Sequence, residues 1–178
     1  VQKAHNAGME VWALLENLSP DVSTLEIMSY TSKRERLAQN LVSEVLSVGA
    51  DGINLDFEQI ASEAGEHYVQ FIRELSVLCR ANNIVLSVDN YVPASGVTSF
   101  YNRKEQGIVA DYVIIMGYDE HWGNGGVAGS VASLPYVLDG IEQTLEEVPS
   151  SKVPFPSNSR MKEITTITIM YPTPIPRA

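Results

Sequence analysis

The chain has 178 residues, 44% of them hydrophobic, with 22 Asp+Glu against 12 Lys+Arg and a net charge of −10. That length suits one domain and that apolar content suits a real core, so wholesale disorder is excluded. No apolar run reaches the roughly 18 residues of a membrane span, the acidic balance argues against a nucleic-acid partner, and one cysteine gives no disulfide framework.

The first residue is Val1, with neither an initiator Met nor a signal-peptide pattern, so the chain is expected to be a piece of a longer protein. Val1–Ala7 reads as a helix end stopped by Gly8, and Met9–Glu16 as a short apolar strand. Ser32 with Glu35 forms a possible capping box for a helix whose stripe is Leu37, Leu41, Val45 and Val48, ended by Gly49. Asp51–Glu58, DGINLDFE, alternates with period two and reads as a strand. Ser62 opens a helix with Tyr68, Phe71, Ile72, Leu75 and Cys79 on one stripe, which makes Cys79 a core residue. Ile84–Val92 is a strand, Ser95–Gln106 a short or irregular helix, Asp111–Tyr118 (DYVIIMGY) a strand, and Ser133 caps a last helix to about Glu147.

The alternation predicts an α/β fold of parallel strands with right-handed crossovers and covering helices. It also decides where polar side chains point. In DGINLDFE, Ile53, Leu55 and Phe57 share one face and Asn54, Asp56 and Glu58 the other. A parallel βα strand has no free wet face, so the apolar side goes to the helix layer and the polar side into a barrel centre or sheet crevice. Glu58 then stands at the C-terminal strand end, where α/β sites lie. In the last strand Tyr112, Ile114, Met116 and Tyr118 share one face, and Tyr118, Asp119, Glu120 and His121 reach the same rim. Asp89, Asn90 and Tyr91 end the strand between, with Asn90 and Tyr91 expected in the site wall.

Two carboxylates two positions apart on a strand lie roughly 6–7 Å apart, and their repulsion tends to leave one proton on the pair. That equips Glu58 and Asp56 for breaking a glycosidic bond. From spacing alone a divalent-metal site also fits; His121 and Asp119 keep that reading open, although no tight histidine pair exists.

DGINLDFE resembles the fourth-strand signature Asp-x-x-Asp-x-Asp-x-Glu of family 18 glycoside hydrolases. MGYD at Met116–Asp119 resembles that family's sixth-strand Met-x-Tyr-Asp motif, and the 57 residues between suit two βα units. With LSVDNYVP and IVADYVIIMGYDEH, the chain looks most like the bacterial cell-wall and spore-cortex branch, over about residues 1–153. The resemblance implies a (β/α)8 barrel of which this chain carries strands 3 to 6. It implies a retaining mechanism in which the substrate's own N-acetyl oxygen attacks. It makes Glu58 the general acid and later base, Asp56 the partner of the acetamido N–H, Tyr118 the partner of the acetamido carbonyl, and Asp119 a support for the sugar. Asn54 and Met116 fall in the two motifs as substrate-site residues, and Trp122 reads equally as a sugar platform or a loop anchor.

The implied partner is a polysaccharide containing N-acetylglucosamine, peptidoglycan first and chitin as the alternative, met outside the cell at the wall or spore, with no metal or organic cofactor. A non-catalytic glycan-binding relative and an inactive truncated fragment are the competing readings. Asn54 stands where the motif has an Asp; it is expected to donate to Asp56 and lower that residue's pKa. The third-strand Ser-x-Gly-Gly pattern is absent, Leu15–Ser19 reading LENLS.

Charge and proline split the chain. Residues 1–149 carry 21 acidic and 8 basic residues, a net of −13, whereas 150–178 carry Glu163 alone against four bases, a net of +3, and six of the nine prolines fall from Pro149 onwards. Residues 1–150 are therefore expected to form the partial catalytic barrel. The tail 151–178, in which Ile164–Tyr171 suits a short strand, is expected to be disordered or to arise from a frameshift.

Overall fold

The computed structural model describes residues 1–19, 22–93, 98–123 and 125–154, and the backbone of Ile164–Thr168. The elements in chain order are α1 (Gln2–Asn6), β1 (Glu10–Glu16), α2 (Thr24–Met28), α3 (Thr31–Val48), β2 (Gly52–Asp56), α4 (Gly65–Ala81), β3 (Val85–Tyr91), α5 (Arg103–Val109), β4 (Tyr112–Met116), α6 (Leu134–Glu147) and β5 (Ile164–Thr168). The strands form one parallel sheet in the order β4-β3-β2-β1-β5. The expected alternation is present, with one helix, α2, that the sequence pattern did not announce. Ser23 caps it, its hydroxyl accepting from the Glu26 N–H at 3.2 Å.

Period two sorts the sheet's faces. Val11, Ala13, Leu15, Ile53, Leu55, Phe57, Leu86 and Val88 are buried. Most of them pack with Leu37, Leu41 and Val45 of α3 and Tyr68, Phe71, Ile72, Leu75 and Cys79 of α4 in one core. The two helices are joined by a two-pronged ion pair, Arg34 Nε and Nη2 each donating at 3.0 Å to a different oxygen of Glu74. α3 starts at Thr31 with Tyr30 before it and no side-chain cap, so the capping box at Ser32 does not form. Gly49, at φ 70°, ends it as expected.

The opposite face is concave. Trp12 of β1 and Tyr112 of β4 stack with ring centroids 5.5 Å apart. In a flat sheet those strands would be about 14 Å apart, three spacings of about 4.8 Å. The sheet is therefore coiled into part of a barrel, with these two rings filling its floor.

Two aspartates pin the bottom. Asp51 Oδ2 accepts from the Val11 N–H and pairs with His5 Nε2, both at 2.8 Å, and Asp111 Oδ2 accepts from the Leu86 N–H at 2.9 Å. The first Asp of DGINLDFE is thus a strand-to-strand tie at the N-terminal end. Of the C-terminal segment, Ser150–Lys152 forms a 3-10 turn, and β5 pairs with β1 from Glu10↔Ile164 to Leu14↔Thr168. The rest of the tail expectation, on 155–163 and 169–178, lies outside the described residues.

Gly52 leaves room for the Trp12 indole: a Cβ there would stand 2.7 Å from Trp12 Cδ1. Gly52→Ala is expected to destabilise the fold by about 1–3 kcal/mol. A urea midpoint equal to or above that of the unmodified chain would show that the floor is not packed as described.

Candidate active site

Strand register stacks the concave face in tiers. Above the Trp12 floor come Leu14, Asn54, Ser87 and Tyr112. Glu16 pairs with Asp56 and Asp89 with Ile114 in the next tier, because Leu55 pairs with Val88 one step below. Glu58, Tyr91 and Met116 stand above them, at the carboxyl ends of the strands. Polarity thus rises towards the rim, as the alternation of DGINLDFE predicts.

Glu58 is held from both neighbouring strands. Asn17, just past β1, accepts the Glu58 N–H at 2.8 Å and donates to the Glu58 carbonyl at 2.9 Å; the same amide nitrogen donates to Thr24 Oγ1 at 3.0 Å. Tyr91 of β3 donates its hydroxyl proton to Glu58 Oε2 at 2.9 Å and accepts the Gln59 N–H at 3.2 Å. Gln59 sits at φ 51°, a left-handed conformation that costs a non-glycine residue energy and is stabilised here by that contact. Burial and the hydrogen bond to Glu58 push the Tyr91 phenol well up, so it remains a donor. Below, Tyr101 donates to the Phe57 carbonyl at 3.0 Å.

The tier beneath is a carboxyl layer. Asn54 lies between its neighbours: its Oδ1 accepts from Ser87 Oγ at 2.5 Å and its Nδ2 donates to Asp89 Oδ2 at 2.9 Å. The expectation that Asn54 donates to Asp56 and lowers its pKa is therefore wrong. The amide is turned to Asp89, and Asp56 is pushed above the usual carboxylate range by burial, with the charges of Glu58 and Glu16 adding. Asp89 rises from 3.8 to about 6, chiefly through burial, against the lowering effect of the Asn54 bond. Asp56 Oδ1 and Asp89 Oδ1 are both buried with no hydrogen-bond partner among the described residues.

The other expected residues divide. Tyr118, just past the end of β4, is half exposed, and its phenol is raised by burial and by the charges of Asp56, Glu58 and Asp89. Met116 is on the concave face beside Tyr91. Asp119 is exposed at φ 61° next to Tyr118. Trp122 is exposed in the loop between β4 and α6, lining an open hollow with His121, Val127 and Val131, outside the network around Glu58.

Asn90 is not in the wall. It is 1% exposed, and its Nδ2 donates to Gln106 Oε1 at 2.6 Å in the helix layer. Adjacent strand residues face opposite sides, so Asn90 and Tyr91 could not share one. The same period marks Ser87, Asp89 and Tyr91 as one inward set, a signal available in LSVDNY. Asn17 had no such signal. Among the described residues no group of His, Cys, Asp and Glu is arranged to hold a metal ion.

The family model "Glycosyl hydrolases family 18" matches residues 12–162. YdhD of Bacillus subtilis (strain 168), named as a sporulation-specific glycosylase, is 29% identical over 133 residues, 72% of this chain and 31% of that protein. The crystal structure of YdhD aligns with a TM-score of 0.79 at 25% identity, covering 85% of this chain and 52% of that one. The cortical fragment-lytic enzyme of Bacillus subtilis (strain 168) is 29% identical over 148 residues, 78% of this chain and 33% of the enzyme. A plant class V chitinase mutant from Cycas revoluta, solved with (GlcNAc)3, shares the fold with a TM-score of 0.74 at 20% identity, covering 83% and 48% of the two chains. The chain therefore spans about a third of the length of these curated relatives and about half that of these structures.

The raised pKa of Asp89 has a stability consequence. Below about pH 4 the carboxyl is neutral folded or unfolded; as pH rises to about 6 the unfolded chain ionises first, so folding loses about 1–3 kcal/mol, fully so above 6. Asp89→Asn, whose amide oxygen can still accept from Asn54, is expected to stabilise the chain at neutral pH and to change little at pH 4. Thermal midpoints of both proteins at the two pH values test this; equal shifts at both would refute it.

Proposed function

The chain belongs to the glycosyl hydrolases of family 18, and we propose that its rim hydrolyses β-1,4 glycosidic bonds next to N-acetylglucosamine in peptidoglycan. One observation carries the reading. Glu58 stands at the open end of β2 with one carboxylate oxygen held by Tyr91 and its main chain held on both sides by Asn17. Among the described residues nothing holds Oε1, which is left to meet a substrate. A carboxyl so placed can give a proton to a leaving glycosidic oxygen and later take one from water.

Asp56 stands one tier lower, behind Glu58. From there it suits an N–H partner that becomes positively charged more than it suits direct attack on a sugar carbon. That fits the retaining route in which the substrate's 2-acetamido oxygen is the nucleophile. In this reading Tyr118 donates to the acetamido carbonyl, and its raised pKa keeps it a donor. Met116 forms the apolar wall beneath, Asn54 steadies the carboxyl tier, and Asp119 and Trp122 border the sugars at the rim. The named relatives YdhD and the cortical fragment-lytic enzyme support peptidoglycan of the wall or spore, and so action outside the cell. The (GlcNAc)3 complex of the Cycas enzyme supports chitin oligomers as the second substrate reading. No helix among the described residues is long and apolar enough to cross a membrane.

Release of reducing ends from peptidoglycan and from N-acetylglucosamine oligomers tests both. Glu58→Gln is expected to lower the rate about 10²–10⁴-fold without altering the fold; equal activity of the two proteins would sink the assignment. Tyr91→Phe removes only the bond to Glu58 and the acceptor for Gln59. It is expected to lower kcat about 10–100-fold with little change in KM, the scale of a hydrogen bond to a charged group. A change confined to KM would make Tyr91 a binding residue instead.

A further inference from the structure

We propose, resting on the glycosidase reading of this rim, that Asp89 is a positioning residue. It forms with Asp56 a cross-strand carboxyl pair that carries one proton, kept on Asp89 so that Asp56 stays charged for the acetamido group. The family motif places its carboxylates along one strand. This chain has an amide at position 54 of that strand, and the carboxyl stands on the next strand, bonded to that amide at 2.9 Å.

The register places the pair. Leu55 pairs with Val88, so Asp56 and Asp89 are the next residues of adjacent parallel strands and lie on the concave face together. Each has one buried oxygen, Oδ1, without a partner among the described residues. Two ionised carboxyls side by side with such oxygens repel; one proton relieves the repulsion. Asn54 decides which oxygen of Asp89 takes it. Its Nδ2 occupies Asp89 Oδ2, which leaves Oδ1 as the protonation site. The identity of residue 54 follows: an ionised Asp there would face Asp89 Oδ2 oxygen to oxygen, whereas the amide donates.

The described groups around the pair contribute no positive charge. Glu16 acts on Asp56 from β1, and Glu58 acts on both from β2. Tyr91 of β3 reaches the layer through Glu58, Tyr118 stands over it beyond β4, and the phenols of Tyr68 and Tyr101 feel its charges from the helix side. Among the described residues, no lysine, arginine or histidine acts on either carboxyl. A proton is therefore the counter-charge, and burial selects Asp89 as its holder at about pH 6.

The test is a titration of the side-chain carboxyl carbons of Asp and Glu by NMR on the whole chain, between about pH 3 and about pH 8. Asp89 is expected to half-titrate near 6, and the Asp56 signal to show an inflection at the same pH. In Asp89→Asn that inflection disappears and the Asp56 midpoint moves down. In Asn54→Ala, with the donor to Oδ2 gone, the Asp89 midpoint moves up. Asp89 titrating in the ordinary range near 4 with no inflection on Asp56, or an Asp56 midpoint unmoved by Asp89→Asn, overturns the proposal. The unmodified chain decides the first point alone if a variant fails to fold. No substrate is used, so an inactive chain leaves this pair untouched, and a failed titration leaves the hydrolase reading standing.

Discussion

A parallel sheet covered by helices on one side has a single direction in which polar side chains can go. In this chain that constraint sets both the core and the site. Ile53, Leu55 and Phe57 are driven into α3 and α4, and the same two-residue period turns Asn54, Asp56 and Glu58 to the concave face. Neither set could be moved without moving the other, because a one-residue slip exchanges the faces. The bottom ties, Asp51 to Val11 and Asp111 to Leu86, fix the register from below. They thereby settle which residues meet in each tier above.

The cost of this arrangement is electrostatic. Four carboxylates, Glu16, Asp56, Glu58 and Asp89, share one concave surface on three strands. The molecule answers with neutral donors, Asn54 to Asp89 and Tyr91 to Glu58, while Asn17 holds the main chain of Glu58. Neutral donors orient a carboxylate without cancelling its charge, so burial, with the mutual repulsion adding to it, raises the pKa values of Asp56 and Asp89. An arginine in this layer would hold the carboxyls ionised and leave none ready to hold a proton near neutral pH.

The sequence was most legible where period and fold agreed. DGINLDFE and DYVIIMGY each declared an inward and an outward face, and both are as their alternation demands. Legibility ended where a side chain leaves the period. Asn17 sits past the end of β1, and its two-way grip on Glu58 depends on the path of the chain towards α2, a five-residue helix too short to show a stripe. Asn54 was visible as a departure from the motif, but its partner was not, because the choice between Asp56 on its own strand and Asp89 on the next depends on side-chain direction across the sheet. Asn90 departs from the expected wall for a simpler reason: the alternation of β3 that turns Asp89 and Tyr91 inward turns Asn90 to the helix side.

In the proposed reading, Glu58 shows why the acid needs several strands and not one. A carboxyl at a strand tip is free to swing, and general acid catalysis fails when the proton is misplaced by even about an ångström. β1 supplies the clamp on the Glu58 backbone and β3 the hold on one of its oxygens. The strain at Gln59 is the local price of turning the chain just beyond the acid, and Tyr91 stabilises that turn with the same oxygen that restrains the carboxylate. One phenol therefore couples the shape of the loop to the direction of the proton. Any change that loosens β3 relative to β2 disturbs the loop and the Glu58 carboxylate together, so the proposed catalytic geometry depends on sheet register as much as on the identity of Glu58.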